Sequence, residues 1–592
     1  MVKLSQGFFP GETTELPQWL GPGKPRNHNI LVDSAPWLSV KSPPVKCAFR
    51  IAALLLFCAL TFAARCHNLR DVFLDGQIYF LDGDCYARMS RARLVAEHPG
   101  VVIRHHDFEN FPAGVNPHTT APLDYLIVGL KSVFDLGFSA ADSTSALRSQ
   151  TLDLAGALIG PLLAVAGTIF LAVWCWALRL RFWEMALLLY AVSPILVHGA
   201  ALGRPDHQAL LIVLLTMALG AEIALMRLRA AGISRPEILA RWGTLAGAAR
   251  GLSLWVSLYE PLVLLASVAV LWLVRDWRAL GARERRTGWV VCASIVAVAF
   301  LLEGWRLEIP DAAMRAFFSR WKMSIGELAP LPLLSSTLFG WLGWTALAAP
   351  VLLVRARKDE PAAGPVLFLL LLTLALSVWQ IRWGYFFASV FVLALPIFLP
   401  AFRPRWLAWP AFLIALFPLA QEWDARLFPN PAAARDLAMK RTEAVMLRRT
   451  ISAKGRGESG AFLAPWWLSP SIAYWTRQPG VAGSSHESLP GIVDAARIWL
   501  APDMEAALPL LRAREVAWIL ADTPERVVPS SAALLAVASP EKCLAHDLAQ
   551  PLSPASLPAL VREKDATLSR QPSFFQVWRM QPSTGDATLP AP

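Results

Sequence analysis

Residues 152–226 read LDLAGALIGPLLAVAGTIFLAVWCWALRLRFWEMALLLYAVSPILVHGAALGRPDHQALLIVLLTMALGAEIALM. Three long apolar runs follow one another, interrupted only by "RLR" at 179–181 and "GRPDHQ" at 203–208. Each run approaches the roughly 20 apolar residues that a helix needs to cross a bilayer. The segment therefore predicts three consecutive membrane-spanning helices with short polar connections.

The same pattern continues along most of the chain. Of the 592 residues, 55% are hydrophobic and only 17% are charged, with a mean hydropathy of +0.44. Soluble domains carry about 25% charged residues, so we expect a polytopic α-helical membrane protein with about 11–13 transmembrane helices. The candidate spans lie near 48–65, 152–178, 182–202, 209–226, 242–258, 261–274, 288–303, 333–354, 364–381, 384–401 and 406–421.

The placement of positive charge predicts how these helices are oriented. The net charge is +11, and the Lys and Arg residues occur in short blocks between apolar runs. Cytoplasmic loops carry such an excess, so the pattern indicates membrane topology and argues against nucleic-acid binding. With residues 1–47 as a cytoplasmic tail, and 121–138 as an interfacial helix outside, every basic connection falls on the cytoplasmic side. These connections are 179–181, 227–241, 275–286, 355–360 and 402–405.

This orientation also predicts the domains. Residues 48–421 form a transmembrane domain whose external loops are 66–151, 203–208 and 304–332. Residues 422–592 are richer in Pro, Ser and charge, and they are expected to form an extracytoplasmic soluble α/β domain. The strand-like runs "EVAWILAD" (515–522) and "FFQVWRM" (574–580) and the helical "PDMEAALPLLRAR" (502–514) support this interpretation.

Four acids and one arginine stand out in the predicted external segments. Charges near a membrane are costly and usually face a cavity or a partner, so several on one face suggest a shared cavity. Carboxylate oxygens are suited to Mg²⁺ or Mn²⁺, and an arginine can hold a phosphate in a bidentate fork. The residues are Asp82, Asp84, Asp206, Glu327 and Arg382.

Their order and context resemble the catalytic subunit of oligosaccharyltransferase, a C-type, lipid-phosphosugar-dependent glycosyltransferase. "LDGDCYARM" (81–89) is similar to the family's first acidic motif, and "GRPDHQALLIVL" (203–214) to the second. "SIGE" (324–327) resembles a short motif that ends in Glu, and "IRWGYFFASV" (381–390) a pattern of arginine and aromatic residues. The resemblance runs in order through roughly residues 48–525.

The resemblance implies a role for each of these side chains. Asp84, Asp206 and Glu327 would be catalytic residues and ligands of a Mg²⁺ or Mn²⁺ ion, with Glu327 binding either the metal or the acceptor amide. Arg382, with His207 beside Asp206, would contact the donor pyrophosphate. Secondary positions are Asp82, Arg88 and Gln208, and Gln208 stands where the family usually has a second acid.

"PWWLSPSIAYWT" (465–476) resembles the start of the family's external domain, whose hallmark is WWDYG. Trp466 and Trp467 would contact the acceptor, but Leu468 replaces the Asp. In the family that motif recognises the Ser or Thr of Asn-x-Ser/Thr. We therefore expect a weak or absent preference for such peptides.

Structural interpretations remain open for each feature. The acids at 82 and 84 could be solvated, Asp206 could only cap a helix, and Glu327 could be an exposed loop acid. Arg382 could be an interfacial anchor, and the paired tryptophans could be core aromatics.

The histidines are predicted to have a structural or substrate-contact role. Those in "RHHDFEN" (104–110) are adjacent and point apart in most backbones, so they are poor co-ligands. A zinc site formed by these histidines and His118 would need ligands that lie closer together. The seven cysteines have no CxxC spacing and are expected to be small buried residues.

These features predict an oligosaccharyltransferase-like, single-subunit enzyme of protein glycosylation in a bacterial inner membrane, with its active site outside the cytoplasm. The donor would be a lipid-linked oligosaccharide or polyprenyl-phosphate sugar, and the acceptor a protein or another glycan. The alternatives are a flippase for a lipid-linked anion and a C-type enzyme with a non-protein glycan or lipid acceptor. Transporter sites usually lie at mid-membrane within broken helices, whereas these acids lie in loops.

Overall fold

The structure is a computed structural model that describes residues 44–118, 121–139, 150–233, 235–276, 278, 281–304, 311–452, 460–549, 559–562 and 575–581. Most of the predicted N-terminal tail lies outside these residues. The first half of the described chain consists of helices and one short hairpin: α1 (Pro44–Arg65), α2 (Leu69–Val72), β1 (Phe73–Leu74), β2 (Gln77–Ile78), α3 (Gly83–Glu97), α4 (Ala121–Ser139), α5 (Thr151–Ala177), α6 (Trp183–Val192), α7 (Pro194–Gly199), α8 (His207–Ala230), α9 (Pro236–Val256), α10 (Tyr259–Asp276), α11 (Arg283–Glu303) and α12 (Ala312–Trp321).

Helices continue to residue 452, and a mixed helix and strand region follows. The elements are α13 (Ser336–Leu342), α14 (Thr345–Ala356), α15 (Ala363–Trp379), α16 (Gly384–Phe398), α17 (Ala408–Ala415), α18 (Phe417–Leu427), α19 (Pro431–Ser452), β3 (Ala461–Leu463), α20 (Ser469–Thr476), α21 (Leu489–Trp499), α22 (Met504–Ala513), β4 (Val516–Ala521), α23 (Pro524–Leu535), α24 (Leu544–Ala549), β5 (Leu560–Arg562) and β6 (Gln576–Met580).

The predicted fold class, a polytopic helical membrane protein with a C-terminal α/β region, is confirmed. Each of the eleven predicted spans overlaps helix. Among the described residues five segments are long and apolar enough to cross a membrane, or six if the pair α13 and α14, bent by 65°, is one span. The five are Cys47–Arg65, Thr151–Ala177, His207–Ala230, Arg285–Glu303 and Ile381–Ala401.

Several other predicted spans are short or interrupted. The run at 182–202 divides into α6 and α7 at Ser193, because Pro194 has no N–H to continue the helical hydrogen bonds. Between α13 and α14 the backbone turns at Gly343, which has φ = +68°, and a Cβ there would lie 2.2 Å from the Ala415 carbonyl oxygen. The total number of spans stays a prediction.

Two spans form the centre of the helical region. In the apolar stretches of α8 and of the segment around α16, 94% and 89% of the residues are buried, whereas in α1 only 11% are. Both sequences are apolar on every face, as expected for helices enclosed by other helices. Asp206 directly precedes α8, and Arg382 lies in the 3₁₀ turn Ile381–Trp383 before α16. The predicted site therefore lies where these two enclosed helices begin.

The predicted interfacial helix is α4. It packs on α3 and α5 and is not among the described helices that qualify as spans. Asp124 in its first turn accepts a hydrogen bond from the Arg88 guanidinium on α3 at 2.8 Å, and both side chains are almost completely buried. This ion pair fixes α3, which begins at the first acidic motif, against α4, and α4 in turn packs on α5.

The C-terminal region contains a four-stranded sheet in the order β3-β4-β6-β5. β3 and β4 are parallel, while β4 with β6 and β6 with β5 are antiparallel. The strands predicted at 515–522 and 574–580 are β4 and β6, and the predicted helix is α22, so these three predictions are confirmed. The domain limits near residue 421 stay a prediction, and α18 extends across them.

The sheet region contacts the helical region through α3 and α20. The Arg93 guanidinium lies 3.7 Å from the centre of the Tyr474 ring and donates to the Tyr474 carbonyl oxygen at 2.5 Å. Tyr474 also donates to Asp153 at the start of α5. These contacts bring the loop after α20 close to the first acidic motif.

Candidate functional site

One arginine occupies the middle of the acidic residues. Arg204 Nη2 lies 2.5 Å from Glu327 Oε1 and 3.7 Å from Asp206 Oδ2, and its Nη1 lies 3.8 Å from Asp82 Oδ2. Only 8% of the Arg204 side chain is exposed. Three segments distant in sequence therefore direct carboxylates at one guanidinium group.

Asp206 is the residue before α8, yet it does not cap that helix. Its backbone is at the N-cap position, but its side chain makes no capping hydrogen bond. One carboxylate oxygen lies 2.6 Å from His207 Nδ1, and the other faces Arg204. Burial would raise the pKa of the Asp206 carboxyl, but His207 and Arg204 hold it below its usual range. The carboxylate is therefore ionised and directed into the cluster.

The two acids of the first motif have different surroundings. Asp82 caps α3, since its Oδ1 accepts from the Cys85 N–H at 2.9 Å while its Oδ2 faces Arg204. Asp84 lies in the first turn of α3 and accepts from the Ser484 hydroxyl at 2.6 Å. Desolvation, and then repulsion from Asp82, raise the pKa of Asp84 to about 7. The Asp84 side chain nevertheless remains exposed to solvent.

Glu327 lies in a single 3₁₀ turn, Gly326–Leu328. Its Oε1 accepts from Arg204 and, at 3.1 Å, from the hydroxyl of Tyr385 on α16. The Tyr385 oxygen in turn lies 2.9 Å from His198 Nδ1. Glu327 is therefore positioned by two buried side chains, and 31% of its own side chain remains exposed.

Arg382 forms an ion pair with a buried acid. Its Nη2 lies 2.5 Å from Oε1 of Glu260, which has no exposed surface. The other Glu260 oxygen accepts from Ser257 at 2.9 Å, and Gln208 Nε2 lies 3.4 Å from Oε1. Since 21% of the Arg382 side chain is exposed, the guanidinium can bind Glu260 and still present donors to a phosphate.

The tryptophans lie beside a separate cavity of about 200 Å³. The ring centres of Trp466 and Trp467 are 5.7 Å apart, and Trp466 packs edge-on against Trp321 at the same distance. The cavity extends from these rings to Ser324, three residues before Glu327. Leu468 is half-buried and packs against a hydrophobic cluster of the sheet region.

Sequence reasoning missed four residues of this site. Arg204 lies within the quoted "GRPDHQ", and the argument that selected Asp206, a charge between two spans, applies equally to it. Glu260 is an acid at the start of an apolar run and could be found in the same way. Tyr385 lies within the quoted "IRWGYFFASV", but its contact with Glu327 could not be predicted from that motif. Ser484 carries no sequence signal, because its relevance depends on its contact with Asp84.

Comparison with known proteins identifies the fold. No protein-family model matches the sequence, and no curated protein matches it. Among solved structures, the oligosaccharyltransferase of Archaeoglobus fulgidus in its apo form gives a TM-score of 0.58 at 15% identity, covering 84% of this chain and 72% of that one.

Two further structures from that organism are also similar. The oligosaccharyltransferase AglB in complex with an inhibitory peptide and a dolichol-phosphate gives a TM-score of 0.55 at 14% identity, covering 92% of this chain and 75% of that one. The oligosaccharyltransferase in complex with Zn and sulfate gives a TM-score of 0.56 at 14% identity, covering 84% of this chain and 71% of that one.

The chain thus has the fold of these archaeal oligosaccharyltransferase structures. The similarity extends over more than four fifths of this chain.

Proposed function

We propose that the protein is a membrane glycosyltransferase that transfers a glycan from a polyprenyl-phosphate or polyprenyl-diphosphate donor to an acceptor outside the cytoplasm. The observation that carries this proposal is the convergence of Asp82, Asp206 and Glu327 on Arg204, with Asp84 close enough to be repelled by all three. The fold supports it, because that fold is found in oligosaccharyltransferases.

The donor set suits a hard divalent cation. Four carboxylates provide only oxygen ligands, which Mg²⁺ and Mn²⁺ prefer. Bound there, a divalent ion would neutralise the charge that develops on the leaving phosphate. Asp84, Asp206 and Glu327 would hold it, and Asp82 and Arg204 would balance the remaining charge.

The other residues act on the donor and acceptor. Arg382, braced by Glu260, binds the donor phosphate and stabilises its negative charge as the glycosidic bond breaks. The acceptor nucleophile attacks the anomeric carbon from the side opposite to the phosphate. With an α-linked diphosphate donor, this direct displacement inverts the configuration.

Transfer from a synthetic polyprenyl-diphosphate glycan by the purified protein in detergent tests the proposal. We expect EDTA to abolish transfer, and Mg²⁺ or Mn²⁺ to restore it. Lipid movement across a vesicle membrane without any transfer would instead support the flippase alternative. Transfer that persists after exhaustive chelation would contradict the metal assignment.

The basic loops support an active site on the extracytoplasmic face. We predict that alkaline phosphatase fused after residue 592 is active and that a cytoplasm-dependent fluorescent protein fused there is dark. Fusions after residue 358, in the basic loop following α14, serve as the matched control and should give the opposite pair of signals. A fluorescent C-terminal fusion would contradict the orientation.

The apolar residue Leu468 leads to a prediction about the acceptor. An apolar side chain cannot accept a hydrogen bond from a Ser or Thr hydroxyl, and losing such a bond to a charged group costs about 1–3 kcal/mol, roughly a tenfold to hundredfold loss of discrimination. The neighbouring Ser469 does not replace it, because only 1% of Ser469 is exposed and an acceptor hydroxyl cannot reach its oxygen. We therefore expect only a weak preference for Asn-x-Ser/Thr peptides. The alternative is a glycan or lipid acceptor.

Paired peptides test this expectation. One carries Thr two residues after Asn and the other carries Ala, and both are offered at equal concentration with the same donor. We expect kcat/KM values that differ by less than about tenfold, or no transfer to either peptide. A strong preference for the Thr peptide would contradict the interpretation of Leu468.

A further inference from the structure

Three potential metal ligands meet where the first external loop contacts the loop before α21. Nitrogen atoms of His118 and His486 and an oxygen of Glu487 all lie within 4.8 Å of one another. The two imidazole rings are 4.4 Å apart between centres, and His486 Nδ1 lies 3.4 Å from Glu487 Oε2. Ligand atoms about 2.0–2.2 Å from a tetrahedral zinc ion lie roughly 3.3–3.6 Å apart, and the distance from His486 Nδ1 to Glu487 Oε2 falls in this range.

The carboxylate in this group is buried and incompletely satisfied. Only 9% of the Glu487 side chain is exposed. Its Oε1 accepts from the His118 backbone N–H at 2.8 Å and contacts the His118 ring. Its Oε2 accepts no hydrogen bond among the described residues, and His486 Nδ1 lies 3.4 Å from it. A buried carboxylate oxygen without a hydrogen bond is costly, and a cation between Oε2 and His486 would remove that cost.

The ligand types differ from those of the acidic cluster. Two imidazoles and one carboxylate form a recognised zinc set that leaves a fourth position for water, whereas an all-carboxylate set suits Mg²⁺ or Mn²⁺. The two groups share no residue. They are neighbours, because the His118 ring lies 6.4 Å from the ring of His207, which binds Asp206.

We propose that His118, His486 and Glu487 form a second metal site, selective for zinc-like divalent ions, that joins the first external loop to the C-terminal domain. The residues it connects are 369 positions apart in the chain. It lies two residues from Ser484, whose hydroxyl donates to Asp84 at 2.6 Å. A metal ion here therefore fixes the segment that contacts Asp84, and it does so by positioning rather than by taking part in transfer.

Metal binding by the purified full-length protein tests the site. Metal-free protein in detergent is titrated with Zn²⁺ in millimolar Mg²⁺, which occupies the acidic cluster, and Co²⁺ is used to record ligand-field absorption. We expect one tightly bound Zn²⁺ per chain and the bands of a four-coordinate Co²⁺ ion. His486→Ala and Glu487→Gln should each weaken Zn²⁺ binding by about a hundredfold or more. This exceeds the 10–100-fold loss typical of replacing a residue that only hydrogen-bonds to a metal ligand.

Two controls separate this site from the catalytic one. His98→Ala removes an exposed histidine at the end of α3 and should leave the Zn²⁺ affinity unchanged. Asp206→Asn should also leave it within about threefold, since Asp206 is not one of the ligands. Because 41% of the His486 side chain is exposed, His486→Ala should fold even if Glu487→Gln does not.

The outcomes are decisive in either direction. Loss of Zn²⁺ binding in His486→Ala with retention in Asp206→Asn supports the second site. The reverse pattern would place zinc in the acidic cluster and overturn the proposal, as would absence of Zn²⁺ binding in the presence of Mg²⁺. None of these measurements uses glycosyl transfer, so failure of the site and failure of the proposed enzyme are distinguishable.

Discussion

Replacing Asp206 with Asn is expected to reduce glycan transfer by at least about 10²–10³-fold, the loss typical of removing one preorganised electrostatic group. The substitution keeps the volume and removes the charge. Both carboxylate oxygens are engaged, one with His207 at 2.6 Å and the other facing Arg204 at 3.7 Å. Because Asp206 makes no capping hydrogen bond, the start of α8 should remain intact.

Asp503 provides the matched control. It is also an aspartate at a helix N-cap, but its side chain accepts from the Ala506 N–H and it lies at the start of α22. Asn is an equally good N-cap residue, so Asp503→Asn should preserve both folding and transfer. Normal transfer by Asp206→Asn at normal abundance would remove this residue from the mechanism.

Asp84→Asn is expected to reduce glycan transfer as strongly as Asp206→Asn. It should also change how metal affinity depends on pH. Its carboxylate binds a cation only when ionised, and its pKa is raised to about 7. Mn²⁺ affinity should therefore rise about tenfold per unit as pH increases toward 7 and level off above it. Asp84→Asn should bind Mn²⁺ more weakly and show a flatter profile across that window. An unchanged slope in the variant would assign the titration to another group.

The second large effect concerns Arg382 and Glu260. Arg382→Ala leaves a carboxylate with no exposed surface and without its ion-pair partner. Breaking a buried pair in this way typically destabilises a protein by about 3–5 kcal/mol. We therefore expect a lower thermal unfolding temperature as well as loss of transfer, because the phosphate loses its guanidinium ligand.

A double variant separates these two effects. Arg382→Ala with Glu260→Gln removes the buried charge, and the amide that replaces the carboxylate can still bond to Ser257, so the double variant should recover most of the lost stability. It should not recover transfer, since no cation faces the donor phosphate. Unfolding in detergent and transfer rates measured on the same preparations provide the two readouts. Transfer by the double variant near the wild-type rate would show that Arg382 has only a structural role.

The fold class and four of the five acids at the site could be predicted from the sequence alone. Apolar run length and the positions of Lys and Arg are local properties, so the helices and a polar external region could be predicted without knowing any contact. The strands β4 and β6 were predicted because apolar, β-branched and aromatic residues cluster in short segments. Asp82, Asp84, Asp206 and Glu327 were selected because a charge beside a membrane is costly wherever it lies.

The role of each of these charges depends on contacts that form only in the folded protein. Arg204 became central because α8, the 3₁₀ turn at Glu327 and the start of α3 meet around it. Asp206, a natural helix cap by position, was directed away from capping by His207 and Arg204. Ser484 and His118 gained their partners across the junction between the first loop and the C-terminal region. The physical reason is common to all of these: a side chain's ionisation and hydrogen bonding depend on neighbours that chain folding supplies, and those neighbours are distant in sequence.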